Sequence, residues 1–164
     1  MKKPALLAVA PIAAAVALAG CGGGGGGGGG GYGAAPAARS ASGTTVTLRT
    51  SKLGSYLADA KGRTLYLFVA DKTTASTCYS ACASLWPPLT SSAPVKPGAG
   101  VMASLLGTTK RTDGTTEVTY SGHPLYYYAG DSLPGDTTGQ AINQFGAEWY
   151  VVAPDGRQID SNGH

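Results

Sequence analysis

The chain has 164 residues, 26 of them glycine and nine tyrosine, and only 13% are charged. Its net charge of +3 includes Lys2 and Lys3; without them ten basic side chains face nine acidic ones, which is too even a balance for a phosphate groove and excludes nucleic acid as a partner. Abundant Gly, Thr, Ser and Tyr favour strands and tight turns over long helices.

The N-terminus reads MKKPALLAVAPIAAAVALAGC. Two lysines, a short apolar run and small residues describe a secretory signal peptide over residues 1–20, since the run is too short and wrongly flanked for a membrane span. Residues 18–21, LAGC, resemble a bacterial lipobox, which implies cleavage before Cys21 and lipidation of its thiol. Each buried methylene contributes ~0.8 kcal/mol, so two or more chains hold a protein firmly at a membrane. The expected location is therefore extracytoplasmic, lipid-anchored through Cys21, at the cell surface or in the periplasm. Residues 21–43 follow as a tether with ten consecutive glycines at 22–31, a composition that cannot bury enough apolar surface to fold. As a coil of ~22 residues it spans roughly 26 Å.

Residues 44–164 are long enough for one core. Shifting the sequence by 60 positions aligns GRTLYLFVAD (62–71) with GHPLYYYAGD (122–131). Gly62, Leu65, Tyr66, Phe68 and Asp71 fall on Gly122, Leu125, Tyr126, Tyr128 and Asp131, giving G-x-x-L-Y-x-[FY]-x-x-D twice. A tryptophan follows each copy, Trp86 and Trp149. Two copies of one supersecondary unit are too few for a solenoid and should form a single domain. The fold class expected is mainly β: two related β-meander repeats, about 44–90 and 100–160, with short helical turns.

In chain order, turns are expected near Gly54 and Lys61-Gly62, then at Asp113-Gly114, Ser121-Gly122 and Pro154-Asp155-Gly156, each between β-rich runs. YSACASLW (79–86) and NQFGA (143–147) look able to make a helical turn, the first stopped by Pro87-Pro88. Side chains alternate along a strand, so Tyr66 and Phe68 share one face and Leu65 and Leu67 the other; Tyr126 and Tyr128 oppose Leu125 and Tyr127. Neither face is polar, as in a strand buried on both sides. The aromatic side should be covered by the other repeat or by tryptophan.

The doubled motif, together with CYSACASLWPPL (78–89), resembles the bacterial predicted lipoproteins described as a secreted repeat of unknown function, with a Y-x-[FWY]-x-x-D motif. The resemblance covers nearly all of residues 44–160. It implies a lipid-anchored surface protein and no known reaction.

Several residues could carry chemistry. Cys78 and Cys82 are an even pair in a disulfide-permitting compartment; a disulfide would pin the turn before Trp86 and contribute ~2 kcal/mol. The alternative is a redox or Cu(I) site, with His123 completing the ligands, although the thioredoxin-like surroundings of such sites are missing. His123, the domain's internal histidine, stands at a strand entrance where the first copy has Arg63, as suits a surface turn residue. No serine has a companion histidine at recognisable spacing, so no catalytic residue is assigned. Asp71 and Asp131 suit carboxylates capping an Asx-type turn, with calcium binding alongside Asp136 and Asp155, or paired-acid hydrolysis, as sharper alternatives. Tyr120, Tyr126, Tyr127, Tyr128, Tyr150 and Trp149 could form a platform for sugar rings, the competing role being core packing. Within that platform His123, Tyr127 and Trp149 are the candidate ligand residues, Tyr127 and His123 because the first copy has Leu67 and Arg63 there. The reading is a non-enzymatic surface module that binds envelope glycan or a surface protein and needs no cofactor. Its rival is the redox or copper protein.

Overall fold

A computed structural model describes residues 43–160; the expected signal peptide, Cys21 and residues 22–42 of the expected tether lie outside the described residues. Strands β1 (Thr45–Ser51) and β2 (Gly54–Asp59) form an antiparallel hairpin with Leu48 opposite Leu57. The chain then turns at Gly62, whose φ of +81° disfavours any side chain, and enters β3 (Tyr66–Phe68). A short helix α1 (Ala81–Leu85) follows. Next comes β4 (Lys96–Pro97), parallel to β1. A single 3-10 turn, Ala103–Leu105, leads into β5 (Leu106–Lys110), which pairs antiparallel with β6 (Thr116–Tyr120). Ser121 and Gly122, at φ +52° and +85°, make the tight loop into β7 (His123–Pro124), as expected of a two-residue hairpin. Strands β8 (Ile142–Gln144) and β9 (Ala147–Val151) complete three small sheets ordered β2-β1-β4, β3-β9-β8 and β5-β6-β7.

The mainly β class with two repeats is therefore what the chain adopts, with two local departures. NQFGA is not a helical turn. Phe145 and Gly146 take φ +57° and +90° and close the β8–β9 hairpin, a primed turn whose twist matches its strands. The second motif copy also forms no long strand. After Pro124 the chain leaves β6, and Tyr126 bridges both Tyr66 and Pro88.

The two repeats are not separate meanders. Leu57 and Leu65 of the first copy bond to Val152, which follows Trp149; Val118 and Leu125 of the second bond to Leu89, which follows Trp86. Each copy is thus completed by the segment after the other copy's tryptophan. The motif pair itself closes the middle: Tyr66 N–H donates to the Tyr126 carbonyl and Tyr126 N–H to the Tyr66 carbonyl, both at 2.9 Å.

The alternation read from the sequence separates two cores. Leu65, Leu67, Leu125, Val118 and Val152 pack in one. Tyr66, Phe68, Tyr126, Trp86 and Trp149 pack in the other.

Candidate functional site

The signature residues of each copy are engaged by the other. Tyr66 Oη donates to Asp131 Oδ2 at 2.7 Å, and Tyr126 Oη donates to Asp71 Oδ2 at 2.6 Å. The remaining carboxylate oxygens are also matched. Asp71 Oδ1 accepts the backbone N–H and hydroxyl of Thr77, and Asp131 Oδ1 those of Thr138. Each aspartate therefore reaches beyond an Asx turn: one oxygen fixes its own loop and the other holds the opposite repeat. Hydrogen bonds to a charged group contribute about 1.5–3 kcal/mol. Burial raises both phenols far above the ordinary tyrosine range, and the acceptor carboxylates add to it.

Four rings stack between these braces, alternating between copies. Phe68 lies on Trp149 at 4.0 Å and 8°, Trp149 on Trp86 at 4.0 Å and 6°, and Trp86 on Tyr128 at 4.4 Å and 31°. Tyr66 and Tyr126 meet Trp86 and Trp149 edge-on. Gln144 satisfies both indoles: its side-chain oxygen accepts Trp86 Nε1–H and its carbonyl accepts Trp149 Nε1–H. Gly139 lies so near that a Cβ would stand 2.8 Å from the Trp86 ring. Trp149, a candidate platform residue with Tyr127 and His123, takes the competing role of core packing and is fully buried in this stack. Its edges and faces are covered by rings and leave no surface for a ligand. Tyr120 and Tyr126 are buried as well.

A buried polar cluster joins the first loop to β6. Arg111 donates to Glu117 Oε2 at 2.8 Å, to Ser76 Oγ at 2.7 Å and to the Cys78 carbonyl at 2.6 Å, and its guanidinium lies over Tyr79 at 4.3 Å. Ser76 Oγ also contacts Tyr126 Oη at 2.7 Å, linking the cluster to the Asp71 brace. Glu117 is wholly buried and its Oε1 has no hydrogen-bond partner. Burial pushes its carboxyl up to about 7 despite the neighbouring arginine.

Cys78 and Cys82 form a disulfide with a Cα separation of 5.2 Å. Both are buried, Cys78 completely. Since Cys78 presents its carbonyl to Arg111, the bridge holds the loop that seats both the cluster and α1. Among the described residues no three His, Cys, Asp or Glu side chains gather as a metal ion requires. Asp136 caps the N–H groups of Ser132 and Leu133, and Asp155 pairs with Arg157; neither joins Asp71 or Asp131.

A sequence model of the family described as a secreted repeat of unknown function matches residues 47–90 and 107–153. The chain belongs to that family. The two matched segments are the two intertwined copies, and membership in a secreted family places the domain outside the cytoplasm. No curated protein and no solved structure matches the chain. Among the described residues no helix is long and apolar enough to cross a membrane.

This secreted repeat opens two clefts beside the braces. One, of about 400 Å³, is lined by Arg63, Tyr127, Tyr128, Ala129, Asp131 and Ser132 among others. A second, of about 550 Å³, is lined by His123, Leu67, Val69, Asp71 and Lys72, with Arg157 and Gln158. A shift of 60 positions carries Arg63, Tyr127, Ala129, Asp131 and Ser132 onto His123, Leu67, Val69, Asp71 and Lys72. The clefts are one feature present twice, and each combines residues of both copies. Tyr127 and His123, the side chains that break the repeat, do not meet; each lines its own cleft. Nothing in the sequence pattern marks Arg111, Glu117, Lys72 or Arg157. Thr77 and Thr138 were missed too, although a threonine six or seven places after each signature aspartate was a visible signal.

Proposed function

We propose that this protein is a membrane-anchored, extracytoplasmic lipoprotein whose domain is a non-enzymatic binding or structural module. The observation that carries the reading is the reciprocal bracing of Tyr66 with Asp131 and Tyr126 with Asp71. The most recognisable polar residues of the chain serve to hold its two copies rigidly together, and rigidity suits a module displayed at the end of a tether. The two clefts beside the braces then supply the surface that differs between copies. The anchor is supported by the LAGC sequence at residues 18–21 and by the secreted character of the family. Burial of the Cys78–Cys82 disulfide supports a loop-holding role for it over exchange with partners.

Metabolic labelling with a fatty-acid analogue tests the anchor. Label is expected on the native protein and absent from Cys21→Ala, which should accumulate in the medium or remain unprocessed. Equal labelling of Cys21→Ala would overturn the anchor.

A further inference from the structure

The two clefts differ in how the side chain at the Arg63/His123 position is partnered. In the first, Asp59 answers the cation: it binds Arg63 at 2.8 Å through Oδ2 and also accepts the Tyr127 hydroxyl at 3.1 Å, while the guanidinium covers the Tyr127 ring at 3.9 Å. Arg63 is thus answered by a carboxylate of its own copy. Arg63 hydrogen bonds outweigh burial and keep the Asp59 carboxyl below its ordinary range. The position equivalent to Asp59 in the second copy follows from the backbone, because Leu57 and Val118 make matching bonds to the segments after the tryptophans. Two residues on from Val118 stands Tyr120, whose hydroxyl is spent on the Pro154 carbonyl. The second copy therefore has no counterpart of Asp59 to face His123.

Lys72, His123 and Arg157 converge on the second cleft. Lys72 and His123 make no ion pair among the described residues, and Arg157 is held by Asp155 alone, out in solvent at 83% exposure. The one carboxylate lining the cleft, Asp71, has its oxygens taken by Thr77 and Tyr126. Leu67 and Val69 form an apolar floor where the first cleft has Tyr127 and Ala129. A pocket of this size with an apolar wall and a few convergent polar groups suits a small ligand.

We propose that the cleft between His123 and Leu67 binds a small amphiphilic anion, a phosphate ester or carboxylate whose head is held by Lys72, Arg157 and His123 and whose apolar part lies on Leu67 and Val69. The proposal deepens the binding-module reading and rests on it; anchoring is tested separately by the label on Cys21.

The test uses the full chain carrying Cys21→Ser, which leaves every described residue intact, and follows the Leu67 and Val69 methyl and His123 imidazole signals by NMR. Octyl phosphate, below its micellar concentration, is expected to shift them saturably. Inorganic phosphate and octanol should each bind at least tenfold more weakly. Lys72→Glu combined with Arg157→Glu, both at exposed positions, should weaken octyl phosphate at least tenfold, whereas Lys61→Glu in the first cleft should not. Phosphatidylcholine vesicles containing phosphatidic acid separate two sources: broadening of the same signals supports a lipid head, and unchanged signals beside octyl phosphate binding support a free ester. Absence of saturable shifts, equal affinity for octanol, or binding unaffected by the double charge reversal would overturn the proposal.

Discussion

Trp149→Ala is expected to lower the stability of the domain by about 3–5 kcal/mol, the range for removing a large aromatic side chain from a core. The indole is the second member of a four-ring stack and contacts Phe68 on one face, Trp86 on the other and Tyr126 at its edge. Its loss leaves a void that the braces on either side prevent from collapsing. It also leaves the Gln144 carbonyl without its indole donor. Urea unfolding followed by fluorescence and by near-ultraviolet circular dichroism measures the effect. Leu133→Ala, at a position 67% exposed, is the control and should change stability by less than about 0.5 kcal/mol. A loss below about 1 kcal/mol for Trp149→Ala would mean that the stack does not hold the copies together.

Arg111→Met is expected to be equally severe at pH 8, about 3–5 kcal/mol, because removing one partner of a buried pair leaves an uncompensated charge. Here the stranded group is Glu117, already short of one hydrogen bond at Oε1. Ser76 and the Cys78 carbonyl lose their donor too. The pH dependence follows from the raised Glu117 carboxyl. It stands at about 7 in the fold against an ordinary 4.5, so between these values the folded chain binds more protons than the unfolded chain. The contribution of Glu117 to stability therefore falls as pH rises through that window. In the variant the carboxyl lies higher still, and at pH 5 it is neutral in the fold. The cost of Arg111→Met should then shrink by at least about 1 kcal/mol between pH 8 and pH 5, since each tenfold rise in the proton affinity of the carboxyl corresponds to ~1.4 kcal/mol. An equal cost at both values would show that Arg111 acts through packing and its neutral partners, not through Glu117.

Much of this architecture could be read from the chain. The shift of 60 positions, the turn dipeptides and the two-faced strand pointed to duplicated meanders with a leucine side and an aromatic side, and the two hydrophobic clusters divide along that line. What the residues could not say was which aspartate each tyrosine holds. Tyr66 has Asp71 five residues away and Asp131 sixty-five away, and only the exchange of segments after Trp86 and Trp149 brings the distant one into reach. For Trp149 the residue types allow both a platform and core packing, and the fold takes the second. Its recurrence after both copies of the motif was the sign that it belonged to the shared core.

The buried pair is not legible in the sequence for a related reason. Arg111 and Glu117 flank an Asp-Gly hairpin, where charges ordinarily face solvent, and the loop 76–78 that covers them comes from the other copy. Tyr127 and His123 were recognised as the unshared side chains, but their separation into two equivalent clefts depends on the way the copies cross. NQFGA illustrates a local limit: Phe145 at positive φ makes the tight turn, and nothing in its side chain announces it.

The central claim is that the doubled motif is a reciprocal lock between the copies. A double-mutant cycle on Tyr126→Phe and Asp71→Asn, read by denaturant unfolding, tests it most directly, because the two residues lie 55 positions apart and belong to different repeats. Their charge-assisted bond predicts a coupling of about 1.5–3 kcal/mol. A coupling below about 0.5 kcal/mol, with the two single losses simply adding, would contradict the lock.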